Sequence, residues 1–317
     1  MRSILILGFG LVVLSIASLF IGVIDLRPGD LWRDRAALEL VVVSRGPRLF
    51  AILITGAALA VCGKILQMLM KNRFVEPMTV GTGQGAALGI LIAAIFFPTA
   101  PLLSQMGIAA ISALIASLGF IAMARRLPPT QPFLVALVGI VYGGILGAIM
   151  VFIAFQADLL QYIDIWLTGE FSGVLQGRYE LLWLAALVAA LSYLAADQFA
   201  IAGMGRAASI NLGLNYTQVV LIGLVAISLV TAMTVVTVGM LPFVGLIVPN
   251  IVSRLYGDNL RHTLPVVAMM GAGLVLAADI LGRVVRYPFE IPVGVVLGVV
   301  GAVLFIWLLY RPARYAG

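Results

Sequence analysis

Apolar residues run along this chain in blocks of roughly 20, with short charged stretches between them, rather than as the narrow apolar stripe of a helix that faces water on one side. Ten blocks can be placed, at residues 4–24, 49–70, 80–97, 104–124, 133–155, 181–196, 217–238, 244–255, 263–281 and 292–310. Such blocks predict membrane-spanning helices, since a helix satisfies its own backbone polar groups where water is absent. The expected fold is all-α, a polytopic membrane protein of about ten transmembrane helices in one domain over residues 1–317. The stretch 207–253 holds no Asp, Glu, Lys or Arg and exceeds one crossing of roughly 20 residues, so it must fold back. Gly239 and Pro242 write that turn: glycine permits positive φ, and proline fixes its own φ and disfavours helix just before it. The block that follows, 244–255, is short and carries Pro249 and Asn250 inside it. A short, proline-broken segment is tolerated at membrane depth where neighbouring helices bury it or where it lines a cavity. A kinked packing helix and a piece of a transport pathway both fit.

Composition narrows the class. With 63% hydrophobic and 10% charged residues, the chain holds more apolar surface than one soluble core can hide. The first apolar block is as long as a span and shows no small-x-small cleavage pattern before Asp25, so it reads as a first crossing rather than a signal peptide. Cys62 and His262 are each the only residue of their type, which excludes a disulfide framework and a metal cluster built on either. Walker, G-x-S-x-G and H-E-x-x-H patterns are absent, so the sequence shows no engine of its own. The net charge of +6 is scattered between spans and reads as topology. An even number of crossings puts both termini on one side. With that side cytoplasmic, ten Lys or Arg lie inside and eight outside, the direction of the positive-inside rule.

The connections carry the remaining signals. Residues 25–48 are the most charged part and too polar to enter a bilayer. The inner turn K-N-R-F-V-E-P-M-T-V-G, 71–81, leads into G-T-G-Q-G; no strand precedes those glycines and no Gly-Lys-Ser/Thr follows, so they read as close-packing positions, not a phosphate loop. The second inner turn, 125–132, is stiffened by prolines. Residues 156–171 mix Tyr162, Trp166 and Phe171 with acids, the pattern of a short helix at the outer interface. The inner loop 203–216 is apolar for a water-side segment, so either a soluble partner covers it or it folds against its own bundle. Two ionisable residues fall in spans. Asp279 stands four before Arg283, as an i to i+4 pair or a functional acid. Lys64, some 9 Å from the inner end of its span, snorkels or faces the bundle.

Seven motifs make a family resemblance: R-G-P-R at 45–48, N-R-F-V-E-P at 72–77, W-L-T-G-E-F at 166–171, L-G-L-N at 212–215, P-F-V-G-L-I-V-P-N-I at 242–251, A-A-D-I-L-G-R at 277–283 and E-I-P-V-G at 290–294. In this order the chain resembles the permease subunits of the iron-siderophore and vitamin B12 ATP-binding-cassette importers, most of all the branch for catecholate-type siderophores such as vibriobactin, anguibactin and enterobactin. The resemblance implies an inner-membrane subunit with both termini cytoplasmic and no cofactor of its own. It implies a second permease subunit, usually a different but related chain, and two cytoplasmic ATPases that bind ATP and Mg. A substrate-binding protein docks outside. By the same resemblance Arg45, Arg48 and Arg283 dock that binding protein. Gly205, Arg206, Ala207 and Ser209, with Leu212, Gly213, Leu214 and Asn215, form the loop that couples to the ATPase. Asn72 and Phe74, with Pro128 and Thr130 of the second inner turn, stand at the inner gate. The family often has histidine where this chain has Asn250, and an uncharged residue where it has Lys64.

Rival readings are an ion-coupled secondary carrier, a membrane-embedded enzyme, or an importer permease for vitamin B12 or haem. A carrier calls for broken helices in two matching repeats, and an enzyme for a nucleophile or metal set. Neither is visible in the sequence.

Overall fold

The computed structural model describes residues 2–310 other than 25, 28, 33, 128–131 and 178; among them it is helical, without a strand. The helices are α1 (Arg2–Phe20), α2 (Arg35–Leu40), α3 (Gly46–Leu69), α4 (Thr82–Phe96), α5 (Leu102–Ala124), α6 (Pro132–Gln156) and α7 (Leu160–Leu167). Then follow α8 (Leu182–Leu194), α9 (Ala196–Met204), α10 (Arg206–Asn211), α11 (Tyr216–Val238), α12 (Val244–Tyr256), α13 (Leu260–Val284) and α14 (Val293–Tyr310). Each of the ten apolar blocks becomes a helix. Among the described residues, five helices are long and apolar enough to cross a membrane: α2 running on into α3, then α5, α6, α11 and α13, with α8 and α9 as a sixth bent by 63°.

Two connections differ from expectation. The charged outer loop is helical from Arg35 onward, because Asp34 Oδ1 accepts the Ala36 N–H at 2.9 Å and a π-helical turn, Val41–Arg45, carries α2 into α3. The inner loop 203–216 is helical as well, shared between the end of α9 and α10.

The bundle is organised around α3. Packing between helices in lipid lacks the hydrophobic drive available in water and depends on close backbone approach. A Cβ on Gly56 would stand 2.5 Å from the Gly271 carbonyl of α13, and one on Gly63 would stand 2.1 Å from the Gly245 carbonyl of α12. Glycine at these two positions therefore lets α13 and α12 lie directly on α3. On α4, Gly85, one of the glycines read from the sequence as a packing position, and Gly89 play the same part against Ala116 and Ala109 of α5. By contrast α6 and α14 turn apolar side chains outward, among them Ile140, Ile145 and Phe152, and Val299, Val303 and Ile306.

Candidate translocation and coupling site

The helix α12, continuous but with Pro249 inside it, is where the inner elements meet. It begins after Phe243, which sits in the left-handed region at φ 68°, an uncommon conformation for a residue with a side chain. Two neighbours hold it there. Glu76, 1% exposed in the inner turn, accepts the Phe243 N–H at Oε1, 2.8 Å away. Gly301 of α14 leaves room for the ring, since a Cβ there would stand 2.6 Å from the Phe243 side chain. Further along, Pro249 has no N–H to offer the Gly245 carbonyl one turn back. The Gln67 amide of α3 donates to that carbonyl at 3.2 Å. Asn250 donates to the carbonyls of Arg73 and Leu246, both at 2.7 Å, and so ties the helix to the inner turn. The break in the hydrogen-bond ladder at Pro249 is thus buried and partnered by α3, while α12 itself runs continuously from Val244 to Tyr256.

Below the break lies a polar cluster. Lys64 Nζ, on α3, donates to Ser253 Oγ at 2.6 Å and to Asp258 Oδ1 at 3.2 Å, and Arg73 reaches Asp258 Oδ2 at 2.5 Å. Lys64 is therefore buried and faces the bundle, with its ammonium held by Ser253 and the half-exposed Asp258. Partial burial alone would raise the Asp258 carboxyl, but Lys64, the Ser253 hydroxyl and Arg73 together hold it below the usual carboxylate range. Asn72 is 2% exposed and its Oδ1 accepts the Phe74 N–H at 2.8 Å, which shapes the turn. Phe74 packs edge-on against Phe305 of α14 at 6.2 Å. The expected gate residues Pro128 and Thr130 lie outside the described residues.

At the outer end the three expected docking arginines are bound within the chain. Arg48 donates to Asp279 Oδ1 at 2.7 Å through Nη2 and to Glu290 Oε1 at 3.0 Å through Nη1. Arg283 pairs with Asp279 Oδ2 at 2.5 Å, the i to i+4 contact, and donates to the carbonyls of Ser18 at 3.0 Å and Ile21 at 2.6 Å. Arg45 donates to the Leu19 carbonyl at 2.6 Å and to that of Ile24. Two arginines thus satisfy carbonyls left open at the C-terminal end of α1. Of the three, Arg283 is buried and Arg48 keeps an accessible edge.

Two of the sequence motifs, 166–171 and 290–294, converge by backbone hydrogen bonds with the turn before α12. Trp166 O accepts from Met240 N at 3.0 Å, Glu170 N donates to Val238 O at 2.9 Å, and Gly294 N donates to Gly169 O at 2.7 Å. The expected coupling loop, α10, is framed by Gly205 at φ 109° and Gly213 at φ 77°, which favour glycine. Ser209 is buried and its hydroxyl donates to the Gly205 carbonyl at 2.9 Å, while the Leu214 N–H returns to the Ser209 carbonyl at 2.8 Å. Asn215 then caps α11 by accepting from Gln218 N at 3.2 Å. This turns Arg206, Ala207, Ile210 and Leu212 outward on a small rigid knob, with Leu212 59% exposed.

Sequence reasoning gave no role to Glu76 or Gln67. Glu76 stood in a quoted motif, but its partner is 167 residues away. Gln67 could have been found by asking which side chain serves the carbonyl that Pro249 leaves open.

A bundle of long apolar helices packed around a buried α12 is the architecture of a polytopic membrane protein. The FecCD transport family model matches residues 10–311, and the chain belongs to that family. It is 44% identical over 307 residues to the petrobactin import system permease protein YclN of Bacillus subtilis, covering 96% of this chain and 97% of that one. It is 42% identical over 274 residues to the ferric-anguibactin transport system permease protein FatD of Vibrio anguillarum, covering 86% and 87%. The fold matches a solved ABC transporter in an inward-facing conformation with a TM-score of 0.83 at 24% identity, over 98% of this chain and 99% of that one.

Proposed function

We propose that this chain is the permease subunit of an ATP-binding-cassette importer that moves a ferric siderophore of the petrobactin and anguibactin kind across the bacterial inner membrane. The observation that carries the reading is near-full-length similarity to two permeases named for such chelates. In this reading all ten apolar helices cross or enter the membrane, with both termini cytoplasmic. The outward apolar faces of α6 and α14 meet a second, related permease chain, and Phe74 closes the pathway between them from the inside together with the turn that holds Pro128 and Thr130. Arg45 and Arg48 present the outer rim to a substrate-binding protein, and Arg283 supports them from behind.

The knob around α10 seats the ATPase, which binds ATP and Mg and does the hydrolysis. Exposed Leu212 and Ile210 are suited to an apolar cleft of that subunit. Reconstitution with the partner permease tests the whole. Uptake of ferric petrobactin is expected only with ATPase, MgATP and binding protein present; uptake by the permeases alone under an ion gradient would sink the reading. Leu212→Glu should abolish ATPase association while shifting unfolding by no more than about 0.5 kcal/mol, the range of ordinary surface substitutions. Normal ATPase binding by that variant would place the contact elsewhere.

A further inference from the structure

An inner gate has to be driven, and the structure shows what the inner turn is fastened to. Glu76 is fully buried and lies directly against the N-terminus of α12, where amides lack intrahelical partners and the helix dipole favours a negative group. Its backbone belongs to the same turn as Asn72 and Phe74, and Pro77 stiffens that turn immediately after it. The turn is tied to α12 at two further points, through Asn250 to the Arg73 carbonyl and through Arg73 to Asp258 beyond the helix C-terminus. Both ends of α12 are therefore bound to one five-residue stretch. The far side of the same stretch touches α14, where Phe74 and Phe243 both pack on Phe305.

We propose that Glu76 is a positioning residue that makes the inner turn and α12 one moving body, so that any displacement of α12 is transmitted to Phe74. The inference rests on the transport reading for its purpose and on geometry for its content. Of the three ties, the one at Glu76 is the least exposed to water, so it is the hardest to break and the one that sets the register between turn and helix. The ties at Asn250 and Arg73 alone would leave the start of α12 free to slide against the turn.

Two measurements test the clamp. In the isolated chain, amide hydrogen exchange at 243–247 reads it directly: Glu76→Ala should speed exchange there by about tenfold, the upper end for one lost hydrogen bond, and Glu76→Gln, which keeps an acceptor oxygen, by less. In the complete importer, spin labels at Lys71→Cys and Leu255→Cys on a Cys62→Ala background should report one distance in nucleotide-free and ATP-bound states. With Glu76→Ala or Glu76→Gln that distance should become nucleotide-dependent, and more ATP should be hydrolysed for each substrate imported. A wild-type distance that changes with nucleotide overturns the proposal, as does wild-type exchange and distance in both variants. Should the wild-type complex fail to import any chelate, the importer reading falls while the exchange experiment still decides the clamp.

Discussion

Two clusters of the same chemistry, arginine or lysine against a carboxylate, sit at opposite ends of α3 and differ in their access to water. In the outer one the Asp279 side chain is 0% exposed and is gripped by Arg48 and by Arg283, itself 5% exposed. In the inner one Asp258 and Arg73 are 50% and 49% exposed, and only Lys64 is buried. Residue type is equal in the two; burial is not. Breaking a buried pair leaves a charge that nothing replaces, whereas water takes over an exposed partner. The outer cluster therefore fastens α1, α3, α13 and the segment before α14 together, while the inner one is more open to water.

The largest effect follows from the buried acid. Asp279→Ala leaves Arg283 buried without its carboxylate and removes one of the two acids on Arg48, so it should lower stability by about 3 to 5 kcal/mol, read from unfolding in detergent. A loss below about 1 kcal/mol, the scale of an exposed pair, would erase the contrast between the clusters.

The helices were legible in the sequence because every apolar block is a local property, and so was the Asp279 to Arg283 contact, which needs only helical spacing. What was not legible is which partner each outer arginine takes. Arg48 and Asp279 lie 231 residues apart, and nothing local separates a guanidinium aimed at a docking protein from one that closes its own bundle. The inner site shows the same limit. Pro249 announced a gap in the ladder, but Gln67, which partners the Gly245 carbonyl, and Glu76, which accepts the Phe243 N–H at the start of α12, are identified only once α12 is seen lying on α3 and the inner turn. Hydropathy was equally blind to side: α3 and α6 are both strongly apolar, yet α3 is buried on nearly all sides and α6 on few.

An intermediate effect separates the two jobs of Arg48. Its planar fork serves Asp279 and Glu290 at once, and a lysine would place one point charge where several directed donors now act. Arg48→Lys should lower stability by about 1 to 3 kcal/mol, the scale of lost hydrogen bonds to charged groups. It keeps the positive charge, so the salt-sensitive part of binding-protein docking should persist. Unchanged stability would mean that the fork is not what holds the outer cluster. Docking that falls as far as stability would mean that the binding protein also needs the fork.

The smallest effect belongs to Asp258. Because its carboxyl is held below the usual range, the folded state takes up the proton less readily than the unfolded chain. The stability it contributes is present above the unfolded carboxylate value and is lost as pH falls through the folded one. Asp258→Asn should thus cost no more than about 1 kcal/mol at neutral pH, with wild type and variant converging in acid and in high salt. The size is limited because Lys64 keeps the Ser253 hydroxyl and its ammonium already lies beside a half-exposed group that water can replace. A gap at neutral pH as large as that of Asp279→Ala would show that the buried Lys64, rather than the exposed carboxylate, sets the strength of the inner cluster, and that this end of α3 is fastened as firmly as the other.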